Sequence, residues 1–418
     1  MKAVEVIIVG PGSRGEAYAQ YAKEAPLKCR IVGVAGPDDH RRQKMIKDFD
    51  LPKEMVFNCW SEVVAVGEKI ADAVVICTHD DMHAAPAIAF ANLKYNILLE
   101  KPMATTEDDC RRIVDAVKQN GIIFSVCHVL RYTNYSQKLK EIINSGVAGD
   151  IVNIQHVEPV GSWRHVHSYV RGNWRKESDS TFMLLSKSCH DLDWIQYIMD
   201  QKIARVSSFA SLRHFKKTEQ PQGAPERCLD CPKHIEKNCP YSAKRIYNRF
   251  LENGQLGRPL DTVVAEPNRV NIEEALRTGP YGRCVYACDN DVVDNQLVNI
   301  EFQNHSSASF MMTAFSANSG RKSIIYGTKA QITVEENKIE IFDFINEQTK
   351  TINVGLNNDS LLDHHDGGDR GVVKNFIEAN LANDQTMIIS GPDVSLETHL
   401  AVFKAEEARK NGTVELVV

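Results

Sequence analysis

A glycine-rich turn near the amino terminus constrains the fold of this chain more than any other feature. The apolar run 6–9 leads directly into Gly10, Gly12 and Gly15, which have the spacing G-x-G-x-x-G and open a helical pattern. The first glycine allows a tight turn, the second lets the backbone approach a pyrophosphate, and the third permits close packing of helix on strand. The helix start directs free N–H groups toward bound phosphate. The pattern predicts a dinucleotide-binding turn rather than a plain glycine turn.

The first part of the chain alternates short apolar runs with helical patterns. After a helix at 17–22, the pattern predicts strands at 30–35, 73–77, 96–99 and 121–126 and helices at 41–49, 84–93 and 107–120. Strands that alternate with helices in this way form a parallel sheet covered on both faces. Residues 1–126 are therefore predicted to be an α/β Rossmann domain.

Residues 127–418 follow a different pattern, in which strands are separated by turns. A helix through 189–199 follows the first of the expected strands, which are 151–159, 296–302, 308–313, 322–326, 330–334 and 338–344. This order is typical of an α+β domain with an open, mostly antiparallel sheet and helices on one face. The stretch near 218–260 contains several cysteines and is interpreted as a long insertion in this domain.

Composition excludes several classes of function. The formal net charge of −6 leaves no basic surplus for a general nucleic-acid binder, and no apolar run reaches the roughly 20 residues that a membrane span needs. The apolar run at the amino terminus contains Glu5 and enters a glycine turn, so it is interpreted as a strand and not as a signal peptide. Eleven cysteines without a secretion signal indicate reduced thiols and a cytoplasmic protein.

The end of the second expected strand bears on the choice between NAD and NADP. Gly36 occupies the place where an acidic residue usually binds the adenosine ribose, and Asp38 and Asp39 come two and three residues later. Arg41 and Arg42 could instead meet a 2′-phosphate. The aspartates favour NAD and the arginines favour NADP. Because no carboxylate stands at position 36, we expect a slight preference for NADP(H).

Polar residues follow two further strands at the same expected sheet edge. Thr78, His79 and His83 come after one strand, and Glu100 and Lys101 come before a proline at the end of the next. Ligands bind at this edge in doubly wound sheets, so the Lys101 ammonium is expected beside the nicotinamide rather than in solvent. The residues expected to hold the cofactor are Gly10, Gly12, Ser13, Arg14, Gly15, Arg41, Thr78, His79, His83, Glu100 and Lys101.

Together these motifs resemble a known family, the glucose–fructose oxidoreductase / inositol dehydrogenase / rhizopine catabolism group (Gfo/Idh/MocA) of NAD(P)-dependent oxidoreductases. The resemblance rests on the glycine turn, Thr78 with His83, the Glu100–Pro102 motif, residues 146–150 and the helix 188–193. It implies a dinucleotide domain, a second α/β domain whose open sheet often makes dimer or tetramer contacts, and hydride exchange at a carbinol carbon of a cyclic polyol or pyranose.

The resemblance also assigns catalytic roles. His190 matches the family's catalytic histidine, and its side chain suits a general base for the hydroxyl proton during oxidation. Lys101 is expected to hydrogen-bond the same oxygen. Many members carry an aspartate one helical turn before the histidine, where this chain has Ser186, and Asp193 at i+3 could compensate or be an ordinary ion-pair residue.

The second domain also supplies candidates for binding a sugar, because such clefts need polar groups and aromatic platforms. For each residue, packing is a nearly equal alternative. The expected substrate-binding residues are Arg131, Trp163, Arg171, Trp174 and His365.

The cysteines of the insertion suggest a second, minor possibility. Cys228, Cys231 and Cys239 lie at short spacing, and His234 and the pair Cys284 and Cys288 are further possible ligands. Thiolates at such spacing can form a structural zinc site, but the pattern lacks a second Cys-x2-Cys pair. Reduced structural cysteines without a metal are the preferred interpretation.

Three functions are compatible with these residues. The preferred one is an NAD(P)-dependent dehydrogenase that acts on the CH–OH group of a sugar, inositol or glycoside. The second is NAD-dependent cleavage of a glycoside by transient oxidation and elimination. The third is a non-catalytic regulator that senses a dinucleotide, which intact Lys101 and His190 argue against.

Overall fold

A parallel sheet organises the first half of the chain in the computed structural model, which describes residues 2–317, 320–355 and 366–417. Its strands are β1 (Val4–Val9), β2 (Cys29–Ala35), β3 (Val56–Phe57), β4 (Ala73–Ile76), β5 (Asn96–Leu99) and β6 (Phe124–Val126), in the spatial order β3-β2-β1-β4-β5-β6. The strand order reverses between β1 and β4, and ligands bind at such a point in doubly wound sheets. The predicted Rossmann domain is confirmed.

Helices cover both faces of this sheet. They are α1 (Ser13–Glu24), α2 (Asp39–Phe49), α3 (Trp60–Ala65), α4 (Ala84–Asn92) and α5 (Glu107–Asn120). Capping residues define several helix ends. The side chain of Asp38 caps the start of α2, Thr106 caps the start of α5, and Gly121 ends α5 in the left-handed conformation.

The second sheet is open and mostly antiparallel, as predicted. Its order is β14-β13-β12-β11-β7-β10-β9-β8-β15, and only the β7–β10 pairing is parallel within the described residues. The strands are β7 (Ile151–Pro159), β8 (Ile203–Ser211), β9 (Asn295–Phe302), β10 (Ser307–Thr313), β11 (Lys322–Gly327), β12 (Ala330–Glu335), β13 (Lys338–Asp343), β14 (Gln348–Asn353) and β15 (Val414–Leu416).

Helices pack on one face of the second sheet and join the domains. The helices of this half are α6 (Asn134–Asn144), α7 (Ser162–His165), α8 (Met183–Met199), α9 (Lys233–Glu236), α10 (Ala243–Glu252), α11 (Leu260–Val263), α12 (Arg269–Thr278), α13 (Gly368–Ala382) and α14 (Pro392–Asn411). Helix α8 is buried along almost its whole length, so each of its polar residues needs a partner inside the protein.

Two features of the fold were not predicted from the sequence. The insertion has its own apolar core, built around Phe215, Tyr247 and Tyr281 with helices α10 and α12, so it is a small folded unit. Helix α13, from the carboxyl-terminal part of the chain, packs against α1 and the first sheet, with Phe376 among its buried residues. Both arise from contacts between distant segments, which local patterns do not report.

The described part of the chain contains no helix that is both long and apolar enough to span a bilayer.

Candidate active site

The glycine turn adopts the geometry that a phosphate-binding turn requires. Gly10 has φ +86°, and a Cβ there would lie 2.6 Å from the Cys77 carbonyl oxygen. A Cβ on Gly15 would collide with the Gly10 carbonyl. Gly12 faces open space, with only an Arg41 Nη atom at 3.4 Å, and it begins α1 without a side-chain cap. Open space at Gly12 and uncapped N–H groups at the helix start fit a dinucleotide pyrophosphate.

The Gly10 position provides a test of this geometry. A Gly10→Ala variant should lose about 3 kcal/mol or more of unfolding free energy, because it adds a backbone clash to the strain of a positive φ. Gly67→Ala is the matched control, since Gly67 has φ +79° with nothing within 4 Å, and should lose only about 1 kcal/mol. Urea unfolding measures both losses. Equal losses in the two variants would contradict the close approach at Gly10.

Arg14 is held by carboxylates rather than left open to the cofactor. Its Nε lies 2.8 Å from Glu100 Oε1, and its guanidinium makes two bonds to Asp369, at 2.7 and 2.8 Å. Burial raises the pKa of Glu100, but the charges of Arg14 and Lys101 outweigh it and keep the pKa below its ordinary value. This network fixes the end of β5 against α1 and α13, so the Arg14 side chain acts as a structural support of the site.

The end of β2 explains why an acidic residue is missing there. A Cβ at Gly36 would collide with the ring of Pro11, so any side chain at this position is sterically excluded. Asp38 is engaged as the cap of α2, and Arg42 is buried with its Nη1 on the Gly36 carbonyl at 2.5 Å. Arg41 is the arginine that lies beside Gly12.

The loop after β4 is tied to the loop after β5. The two ring nitrogens of buried His83 lie 2.6 Å from the Pro102 carbonyl oxygen and 3.2 Å from that of Thr78. Thr78 Oγ1 donates to the Met82 carbonyl, and His79 precedes the following turn. His83 therefore sets the relative position of two loops at the predicted edge, and its side chain is enclosed beneath them.

Lys101 and His190 come from different domains and meet at this edge. The Lys101 Nζ donates to the backbone carbonyl of Ser186 at 2.6 Å, and His190 lies one turn further along α8. Residues four apart in a helix share a face, so the ammonium and the imidazole lie on the same side of α8. Ser186, which lacks the expected carboxylate, instead orients the lysine through its main chain.

His190 has a partner that the sequence did not suggest. Arg321 Nη2 lies 2.9 Å from His190 Nε2, and its Nε pairs with Asp191. A guanidinium has donors only, so Nε2 accepts this bond, and the neutral ring carries its hydrogen on Nδ1. Arg321 also lies 2.7 Å from Glu158, whose other oxygen is 2.8 Å from Lys187 Nζ.

This buried cluster changes the titration of its members. Burial lowers the pKa of His190 well below its ordinary value; Asp191 opposes the shift, while Arg321 and Lys101 add to it. Burial also lowers the pKa of Lys187 to about 8, although Glu158 favours its charged form. His190 is therefore neutral at pH 7 and able to accept a proton.

Asp193 and Arg131 form an ion pair with each other. The guanidinium of Arg131 donates to both carboxylate oxygens of Asp193, at 2.7 and 2.8 Å, and both side chains are buried. Asp193 therefore does not take the place of the missing aspartate beside His190, and Arg131 is not presented to a substrate. At i+3 from His190, Asp193 turns toward the segment after β6 instead.

The other expected substrate-binding residues lie in different places. Arg171 is fully buried and donates to the carbonyl oxygens of Arg283 and Tyr241, so it supports the insertion core. Trp163 packs edge-on against Phe250 of the same core. Trp174 donates its indole N–H to Asp80 of the nucleotide domain at 3.2 Å. His365 lies outside the described residues.

Four cysteines that are separated in the sequence lie close together in the structure. Cys228, Cys231, Cys239 and Cys284 line one small apolar cavity, and Cys228 Sγ accepts a bond from Arg171 at 3.5 Å. Among the described residues, no three histidine, cysteine, aspartate or glutamate side chains are arranged to hold a metal ion.

Sequence reasoning missed Arg321, Glu158 and Lys187 as members of the site. Arg321 is 131 positions from His190 along the chain and carries no local motif. A usable signal did exist for Lys187, because it lies between apolar residues in a helix that is predicted to be buried, and a buried charge needs a partner.

Two family models match almost the whole chain. The model described as an oxidoreductase family with an NAD-binding Rossmann fold matches residues 4–128, and that of the corresponding C-terminal alpha/beta domain matches residues 140–416.

Individual curated relatives match a shorter part of the chain than the family models do. An uncharacterized oxidoreductase of Streptococcus pneumoniae is 32% identical over 46% of this chain and 49% of its own length. A 2,7-anhydro-N-acetylneuraminate hydratase of Mediterraneibacter gnavus is 27% identical over 48% of this chain and 50% of its own length. The chain thus spans about half the length of these curated relatives. A levoglucosan dehydrogenase solved with NADH and levoglucosan has a similar fold, with a TM-score of 0.71, 17% identity and 99% coverage of both chains.

Proposed function

Because the chain belongs to the Gfo/Idh/MocA oxidoreductase family, we propose that it transfers a hydride to or from a carbinol carbon of a sugar, inositol or glycoside, using NAD or NADP. The observation that carries this proposal is the meeting of Lys101 and neutral His190 at the carboxyl edge of the first sheet. Neither residue alone can both remove a hydroxyl proton and stabilise the oxygen that loses it.

The proposed roles follow from the bonds already described. The dinucleotide, held by Gly12 and the start of α1, supplies the hydride acceptor when bound. Lys101, oriented by the Ser186 carbonyl, donates a hydrogen bond to the substrate oxygen. The substrate hydroxyl takes the place of Arg321 as donor to His190 Nε2, which then accepts its proton. Arg321 remains held by Asp191 and Glu158 during this exchange.

A second candidate is cleavage or hydration of a sugar by transient oxidation and elimination. The similarity to a 2,7-anhydro-N-acetylneuraminate hydratase favours this candidate, because the name describes addition of water to an anhydro sugar and no net oxidation or reduction. Product analysis separates the two: a dehydrogenase accumulates reduced dinucleotide in equal amount to oxidised sugar. Cleaved or hydrated sugar with no net change in dinucleotide would instead support elimination.

We propose a preference for NADP(H), because Gly36 excludes the carboxylate that would favour NAD and Arg41 follows it at the start of α2. Arg41→Ala should raise the KM for NADP⁺ about tenfold and change the KM for NAD⁺ less than about twofold, because only NADP⁺ carries the 2′-phosphate. Arg111→Ala, at an exposed arginine of α5, is the control. Steady-state kinetics with both dinucleotides measure the change, and an equal rise in both KM values would contradict the preference.

We propose that the open face of the second sheet binds a second copy of the chain. Phe209, Leu297 and Met311 are directly opposite one another on β8, β9 and β10, and their exposed fractions are 67%, 38% and 42%. A continuous apolar row of this kind is typical of an interaction surface.

The row provides a test of oligomerisation. Phe209→Glu should shift the mass in light scattering from a dimer or tetramer toward a monomer, because a buried unpaired charge is costly at an interface. Leu27→Glu, at an 88% exposed site of the nucleotide domain, should leave the mass unchanged. A wild-type protein that is already monomeric at micromolar concentration would overturn the proposal.

We propose that the protein acts in a reducing compartment such as the cytoplasm, where its eleven unpaired cysteines stay thiols. We also propose that the insertion cysteines are reduced thiols without a metal. Zinc near one equivalent in the purified protein would reverse this assignment in favour of a structural metal.

A further inference from the structure

The peptide bond between Pro102 and Met103, just after Lys101, is held at both of its polar groups. His83 Nδ1 lies 2.6 Å from the Pro102 carbonyl oxygen, and the Met103 N–H donates to His399 Nε2 at 2.9 Å. The carbonyl and the N–H belong to one planar unit, so two buried histidines from distant parts of the chain fix its orientation. This unit directs the short segment of chain that carries Lys101.

The two bonds of His399 fit a single protonation state. Its Nδ1 lies 2.7 Å from the Ser395 carbonyl oxygen, which can only accept a hydrogen bond, so Nδ1 carries the hydrogen. Nε2 then has a free lone pair and accepts from the Met103 N–H. Burial lowers the pKa of His399 to about 4, so the ring is neutral at pH 7 and this acceptor is present.

The same turn of α14 also contacts the helix that carries His190. Thr398 Oγ1 lies 3.2 Å from Asp193 Oδ1, and Asp193 is three residues after His190 on α8. Both side chains are buried. Adjacent residues of one helix, Thr398 and His399, therefore hold the helix of His190 and the loop of Lys101.

We propose that His399 is a positioning residue for Lys101, and that α14 thereby sets the spacing between Lys101 and His190. The inference rests on the proposed oxidoreductase function and adds a residue to it. His399 does not exchange a proton with substrate, because its ring is enclosed and both of its nitrogens already have partners. It acts by keeping the ammonium in place, since a displacement of about 1 Å at a reacting group can reduce a rate about a hundredfold.

Two substitutions at His399 test the bond to Met103. The substrate is the fastest of myo-inositol, D-glucose, D-glucuronate and levoglucosan. His399→Phe keeps a buried ring but has no acceptor, and should lower kcat about 10- to 100-fold while the Kd for NADH stays within about twofold. His399→Gln can accept from Met103 through Oε1 and should keep at least about a third of the wild-type kcat. A wild-type kcat in His399→Phe would overturn the proposal.

The Lys101→Met background separates positioning from general damage to the fold. His399→Phe should change the single-turnover rate of Lys101→Met less than about twofold, because the group that it positions is already absent. The matched control is Val402→Ala, which removes two buried methyl groups from α14 within the core of the second domain. It should lower the melting temperature and leave kcat within about twofold. Equal losses from His399→Phe in both backgrounds would assign a purely structural role and overturn the proposal.

Hydrogen exchange followed by mass spectrometry tests the same bond without any substrate. The peptide that contains Met103 should exchange about tenfold faster in His399→Phe than in the wild-type protein or in His399→Gln. Unchanged exchange in His399→Phe would show that another group holds the loop, and would overturn the proposal. A wild-type protein that reduces no dinucleotide with the four sugars would refute the oxidoreductase function instead, and exchange would still decide whether His399 holds the loop.

Discussion

Replacing Lys101 by methionine is expected to reduce kcat about a thousandfold, because it removes the donor that stabilises the substrate oxygen as it loses its proton. The ammonium is held at 2.6 Å from the Ser186 carbonyl, so it is positioned before substrate arrives. A preorganised charge of this kind acts mainly on the transition state, which is why kcat and kcat/KM should fall together.

The matched control for Lys101 is Lys47→Met. Lys47 is an exposed lysine of α2 in the same domain, and its loss should leave kcat unchanged. The dinucleotide Kd should also remain within about threefold in Lys101→Met, since the phosphates are held by the glycine turn. A Lys101→Met enzyme with more than a tenth of the wild-type kcat would refute the proposed role.

Replacing His190 by glutamine is the second large expected effect, with a loss of about 10²- to 10⁴-fold in kcat for the oxidation direction. Glutamine keeps an acceptor for Arg321 but cannot take up a proton at neutral pH. The pKa of His190 lies well below its ordinary value, so its basic form is present at pH 7 and above. The acid limb of the wild-type pH profile that belongs to His190 should therefore lie below about pH 6.5 and be absent in the variant.

The pH profile distinguishes a base from a merely structural residue. A structural role for His190 would lower activity equally at all pH values, because the same damaged site would operate throughout. His305→Gln, at an exposed histidine near β9, should retain both the rate and the profile. An unchanged acid limb in His190→Gln would assign proton transfer to another group and refute the proposed role of His190.

The nucleotide half of the site was predictable because its determinants are local. The spacing of Gly10, Gly12 and Gly15 fixes a turn between adjacent elements. Strand β5 ends at Leu99, two residues before Lys101, and so brings the lysine to the carboxyl edge of the sheet. Short-range pattern and sheet topology are enough to bring these residues together.

The substrate half depends on contacts that no local pattern encodes. Asp193 lies at i+3 from His190, yet its carboxylate pairs with Arg131, because a buried ion pair with two bonds is the arrangement that satisfies both groups. Arg171 belongs to a stretch that looked like a binding surface, but the folded insertion encloses it. The core of the insertion carries no local signal, because it consists of aromatic residues scattered over a long segment.

The central claim is hydride exchange at a sugar-like carbinol through Lys101 and His190. The most direct measurement is absorbance at 340 nm with a panel of neutral sugars, sugar acids, inositols and glycosides, using NAD⁺ and NADP⁺ separately and the Lys101→Met variant in parallel. We expect at least one cyclic substrate to produce reduced dinucleotide with the wild-type protein and about a thousandfold less with the variant. No reduction with any cyclic polyol, or equal reduction by both proteins, would contradict the proposed site.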